Sequence, residues 1–134
     1  MTYIHPSSNI YDSAKIGEDC SIGAFVEIGK NVVIGDRCRI GTGAYIPENV
    51  QIGNDVFIAP HVVFTNDKNP PSNGKWRETS PTLVKDGVTI GANSTILPSL
   101  VLMDGCQIGA GSVVTKDVDV GRLVYGNPAR LKTQ

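Results

Sequence analysis

Three residues whose types suggest chemistry fall close together: His61, Asn66 and Asp67. An imidazole titrates near neutral pH, so His61 can act as a base. Asp67 can orient an incoming group or drain a proton from it, whereas an asparagine hydrogen-bonds but takes no proton. A plainer reading stands beside this one. Asn and Asp are common turn formers at the start of a loop, and a lone histidine is often only a surface residue. The chain's second histidine, His5, lies far away near its start. Two separated histidines cannot assemble a three-histidine zinc site, and no metal is expected.

The elements that must position these residues announce themselves by period. A large apolar residue arrives every sixth position from Ile4 through Ile10, Ile16 and Ile22 to Ile58 and Phe64, then again from Val84 through Ile90, Ile96, Leu102, Ile108 and Val114 to Val120. Glycine often follows it, and four residues after it comes a small or β-branched residue, with Leu100 the large exception. A period of six suits neither an amphipathic helix nor a hairpin meander, and β-branched residues favour extended chain. The reading is short strands of about four residues separated by tight bends that glycine eases, coiling so that each strand stacks on its equivalent. Residues 65–83 carry no such beat. An interruption in a strict repeat usually has a purpose, and this one holds Asn66 and Asp67, with Lys75, Trp76 and Arg77 as a clasp for a neighbouring subunit.

Composition narrows the function. The 134 residues form one domain. Twelve basic side chains stand against thirteen acidic ones, so neither a nucleic acid nor an anionic membrane is expected as partner. No apolar run is long enough to span a bilayer, and residues 1–9 do not read as a secretory leader. Three cysteines without close-set pairs suit a reducing, cytoplasmic setting. Cys20, Cys38 and Cys106 all fall in the small-residue row of one face, where they read as buried thiols. On distance alone, Cys20 and Cys38 could be bridged.

The repeat, with IGAGSVVTKDV at residues 108–118 and GNPAR at 126–130, resembles the hexapeptide-repeat acyltransferases. That resemblance implies an all-β fold: a left-handed parallel β-helix of about six triangular coils, one protruding loop (65–83) and a short C-terminal extension from Gly121. It further implies an acetyl-CoA donor held in the cleft of a homotrimer. Ala92 and Ala110 would offer main-chain contacts, and Thr115, Lys116 and Arg130 would meet the 3′-phosphate end. Cations and exposed backbone donors suit such a ligand, although the same residues also read as ordinary solvated charges and corner residues. The text FTND followed by NP (64–70), then SPTLVKDGVTIGAN (80–93), resembles the N-acetyltransferases of nucleotide-linked amino sugars. The resemblance implies that Asn66 touches the acceptor amine and that Asp67 orients it. The alternatives are sugar O-acetylation with His61 as base, or a non-catalytic scaffold. Where such relatives have a polar stretch, this chain has Gly41, Thr42 and Gly43, and Pro71 stands where an arginine is usual.

Overall fold

The computed structural model describes residues 1–70 and 80–132 and is a parallel β-helix. The strands are shorter than the sequence suggested, mostly two residues each, with the other four residues of a hexad spent on the corner. They stack in three sheets. On the first face, Tyr3–Ile4, Ser21–Ile22, Arg39–Ile40, Phe57–Ile58, Thr89–Ile90, Gln107–Ile108 and Leu123–Gly126 run parallel. The second face runs from Asn9–Ile10 to Val113–Val114, and the third from Lys15–Ile16 to Val101–Leu102. Among the described residues there is no helix, hence none long and apolar enough to cross a membrane.

Register is constant at eighteen residues per coil: Ile4 pairs with Ile22 and Ile40 with Ile58. Across the insertion, Ile58 pairs with Ile90, an offset of 32, so fourteen residues leave the coil without disturbing its phase. Thr65 still bonds Ile96 O (3.0 Å) and Thr82 bonds Asn49 O (2.9 Å), which shortens the irregular segment from 65–83 to about 66–81. The beat residues Ile22, Ile28, Ile46, Ile58, Phe64, Ile90, Ile96 and Leu102 fill the axis and are fully buried. Ile4 remains 43% exposed because no coil lies beneath it.

Glycine plays a different part from the one expected. The residue in left-handed conformation is the third after each beat, and nine non-glycine residues adopt it, including Phe25 (φ 58°) and His61 (φ 62°). The glycine directly after the beat instead makes room for the next coil. A Cβ on Gly35 would lie 2.3 Å from Asn54 Oδ1 and 2.6 Å from Gly53 O. Those oxygens are where they are because one corner is a ladder of side-chain acceptors. Asp36 Oδ1 accepts from Glu18 N (2.9 Å), Asn54 Oδ1 from Asp36 N (2.8 Å), Asp86 Oδ1 from Asn54 N (2.8 Å) and Asp104 Oδ1 from Asp86 N (3.1 Å).

Two expectations for the end of the chain are corrected. Val120 is not an axial residue; it is 59% exposed, while Val118 is buried and bridges Leu102. Val124, not a residue of a trailing tail, pairs with Ile108. Both offsets are sixteen, so the last coil is two residues short. The contracted hexad keeps its internal rules: Gly121, three after Val118, has φ 68°, and Val124 is six after it. Beyond Asn127-Pro128 the chain turns back as Ala129–Leu131, antiparallel to Leu123–Gly126, which shields the open strand edge.

The cysteines are free, buried thiols. Cys20 Sγ donates to Gly35 O (3.1 Å) and Cys38 Sγ to Gly53 O (3.0 Å). Burial pushes the Cys38 and Cys106 thiols up to about 11, so at neutral pH almost no thiolate is present there. A thiol-reactive chromogenic disulfide should therefore label native protein far more slowly than denatured protein, across pH 7–9. Gly35→Ala should lower unfolding free energy by about 2–4 kcal/mol, because the backbone it meets cannot yield. Gly105→Ala, where nothing lies within 4 Å and only φ 69° is strained, should cost about 1–2 kcal/mol. Urea titration of the two variants distinguishes crowding from backbone strain.

Candidate active site

The three corners carry different chemistry. The corner joining the first and second faces stacks Thr42-Gly43, Pro60-His61, Ala92-Asn93 and Ala110-Gly111 in successive coils. His61 N donates to Thr42 O (2.9 Å) and Asn93 N to Pro60 O (3.1 Å), which fixes the stack. The His61 ring lies over Gly43: a Cβ at Gly43 would sit 2.4 Å from Nδ1 and 2.5 Å from Cε1. Glycine at residue 43 is thus a seat for the imidazole. His61 is exposed, and among the described residues its ring nitrogens have no hydrogen-bond partner. Above it, Ala92 is half-buried and Ala110 exposed; Ala92 O accepts from Gly111 N (2.8 Å), and Ala110 packs where a Cβ on Gly91 would intrude.

Asn66 and Asp67 stand at the corner joining the second and third faces, across a sheet face from His61. The structure does not bring them to one mouth with the histidine within a single chain. Asn66 Nδ2 donates to Glu48 O (3.2 Å), rooting the loop on the coil below, and Asp67 Oδ1 accepts from Asn69 N (3.2 Å) in a local turn. The far end of the loop is tied down as well. Ser80 O accepts from Asn49 Nδ2 (3.4 Å) and from Ser99 Oγ (2.8 Å), while Thr82 Oγ1 accepts from Ser99 N (3.0 Å). Both roots therefore bind to neighbouring coils. The clasp assigned to Lys75, Trp76 and Arg77 lies outside the described residues.

Thr115, Lys116 and Arg130 do converge. They line one groove of about 660 Å³ whose walls include Met103, Val118, Arg122 and Pro128. Among the described residues, none of Lys116, Arg122 and Arg130 forms a salt bridge. Ala92 and Ala110 lie on a different corner and take no part in that groove. Sequence reasoning missed Arg122 because it counted Val120 as the axial residue; the glycine at residue 121 was the available signal.

The chain belongs to the bacterial transferase hexapeptide (six repeats) family, whose model matches residues 1–30, 31–66 and 81–116. A 51-residue stretch is 51% identical to dTDP-3-amino-3,6-dideoxy-alpha-D-galactopyranose 3-N-acetyltransferase of Aneurinibacillus thermoaerophilus, taking in 38% of this chain and 27% of that one. Another, of 80 residues, is 35% identical to 2,3,4,5-tetrahydropyridine-2,6-dicarboxylate N-acetyltransferase of Staphylococcus aureus, covering 60% and 31%. The fold superposes with a TM-score of 0.86 on a variant of perosamine N-acetyltransferase from Caulobacter crescentus in complex with CoA and GDP-perosamine, at 25% identity over 99% of this chain and 57% of that one. It also superposes on AntD, an N-acyltransferase from Bacillus cereus in complex with dTDP and 3-hydroxybutyryl-CoA, with a TM-score of 0.86 at 23% identity over 98% and 78%. The matched stretches span about a quarter to a third of these two curated relatives.

Asn66→Asp keeps the shape but loses the donor and sets a carboxylate against the Glu48 carbonyl. It should destabilise the protein by about 1–3 kcal/mol, read from thermal unfolding. Asn66→Gln, which keeps a donor, should recover part of that loss.

Proposed function

We propose that this chain is an acetyl-CoA-dependent N-acetyltransferase whose acceptor is the amino group of a nucleotide-linked amino sugar. The observation that carries the reading is the 51% identity with an enzyme named for that reaction on a dTDP-linked amino sugar. The solved folds in complex with CoA and GDP-perosamine, or with dTDP and an acyl-CoA, are consistent with it. The corner and groove chemistry fits the same reading, since unpaired cations suit a phosphate-rich donor.

In this reading the protein works as a cytoplasmic homotrimer. The cleft between two copies sets the corner bearing His61, Ala92 and Ala110 against the root of the partner's insertion, with Asn66 and Asp67. Two corners that one chain holds apart then face the same substrate. Thr115, Lys116 and Arg130 hold the donor's phosphates, while small corner residues let the pantetheine arm approach backbone donors. The acceptor's neutral amine attacks the thioester carbonyl: a C–N bond forms, the C–S bond breaks, and the amine loses one proton as the CoA thiolate gains one. A neutral amine needs little activation, so positioning carries much of the rate. His61, exposed and unpartnered, takes up the proton, and Asn66 and Asp67 orient the amine.

The test is release of free CoA thiol from acetyl-CoA over a panel of nucleotide-linked amino sugars and matched hydroxy sugars. Thiol release with amines alone is expected; release with hydroxy sugars alone would overturn the reading. His61→Ala should lower kcat at least about 100-fold at neutral pH while CoA still binds. Unchanged turnover would place proton removal on another group.

A further inference from the structure

The groove at the end of the helix has a structural origin that points to what fills it. Had the last coil held eighteen residues, a strand would cover the third face above Val101–Leu102. Being two residues short, the chain makes a single bridge there, Leu102 to Val118, and Asp117 Oδ1 accepts from Val101 N (2.8 Å) in place of a ladder bond. The uncovered strip becomes the groove floor, with Val101, Met103 and Val118 exposed to it, and the returning strand Ala129–Leu131 forms the opposite wall.

Arg122 occupies a telling place in this arrangement. Four residues after the beat residue Val118, it continues the inward row that in lower coils carries Cys20, Cys38, Val56, Val88 and Cys106, all buried. Its backbone behaves as that row requires: Arg122 N donates to Asp119 O (3.2 Å) and its carbonyl accepts from Gln107 N (2.8 Å). Only in the terminal coil can so large a side chain stand in that row, because no further coil covers it. It is exposed and lines the groove with Lys116 and Arg130, so three cations from three separate segments surround an apolar floor. Asp117, the groove's nearest counter-charge, is already engaged by Val101 N. An apolar floor under a planar group, ringed by unpaired cations, fits a purine nucleotide bearing more than one phosphate.

Resting on the donor assignment above, we propose that this groove seats the adenosine 3′-phosphate end of the acyl-CoA and that Arg122 makes the site selective for a donor carrying the 3′-phosphate. CoA and dephospho-CoA differ only in that group, so calorimetry with both, on the full chain and without acceptor, isolates it. The wild-type protein should bind CoA at least about tenfold more tightly than dephospho-CoA. Arg122→Gln should bind CoA about tenfold more weakly and dephospho-CoA as before, erasing the preference. Arg122→Lys, which keeps the charge but not the planar fork, should retain part of it. Equal wild-type affinity for the two ligands, or an Arg122→Gln loss that is equal for both or absent, would overturn the proposal while leaving the donor assignment standing. If the wild type binds neither, both fall. Arg122 is exposed, so unfolding midpoints of the variants should match wild type.

Discussion

Everything in this structure follows from one constraint: corners of successive coils must lie within hydrogen-bonding distance in strict eighteen-residue register. Parallel strands sit about 4.8 Å apart, and at that spacing a corner has no room for a side chain directly after the axial residue. Glycine there is required by the neighbouring coil rather than by its own backbone angles. The left-handed residue two positions later is a separate demand, met by Asn, Asp, Arg, Ser, His and even Phe. Each such residue costs about 1–2 kcal/mol, and each is held by a bond such as Arg37 N to Glu18 O (2.8 Å) or Asp55 N to Asp36 O (2.9 Å). Repetition lets a strained conformation persist because the coils on either side over-determine it.

The same constraint explains how polar atoms enter the interior. In the inward row, Cys20, Cys38, Ser94 and Ser112 each donate a side-chain hydrogen bond to a glycine carbonyl, as with Ser94 Oγ to Gly109 O (3.1 Å). Thiol and hydroxyl serve interchangeably because the row asks only for a small donor. The thiols are consequently structural, and their raised pKa follows from the burial that the row imposes.

Function enters where the repeat is edited, and the two edits differ in kind. The fourteen-residue insertion preserves phase, so Asn66 and Ser80 can be bonded to coils that continue regularly above and below. A two-residue contraction changes phase for good, which only the last coil can tolerate. It strips one strand from the third face, frees a large residue in the inward row, and makes the groove around Lys116, Arg122 and Arg130. His61 illustrates a third route. It sits on an unedited corner and owes its placement to Gly43 in the coil below, which yields space for the ring.

Most of the fold was legible in the sequence because an axial residue every six positions admits few architectures, and fourteen extra residues can be counted without coordinates. The grouping of Thr115, Lys116 and Arg130 was legible too, through motif text rather than through spacing. Three things were not. Counting in sixes from Val114 put Val120 on the axis, since a valine stands at both positions and only burial chooses Val118. The acceptor residues looked adjacent at 61–67, but a corner lies at each end of one strand, so five residues of chain carry His61 and Asn66 to opposite edges of a face. Arg122 was invisible for the same reason as Val118. Sequence determined the period, the insertion and the identity of the corner residues, because each of these is local. Tertiary structure decided the phase of the last coil and which edges share a face, because both depend on what lies eighteen residues away.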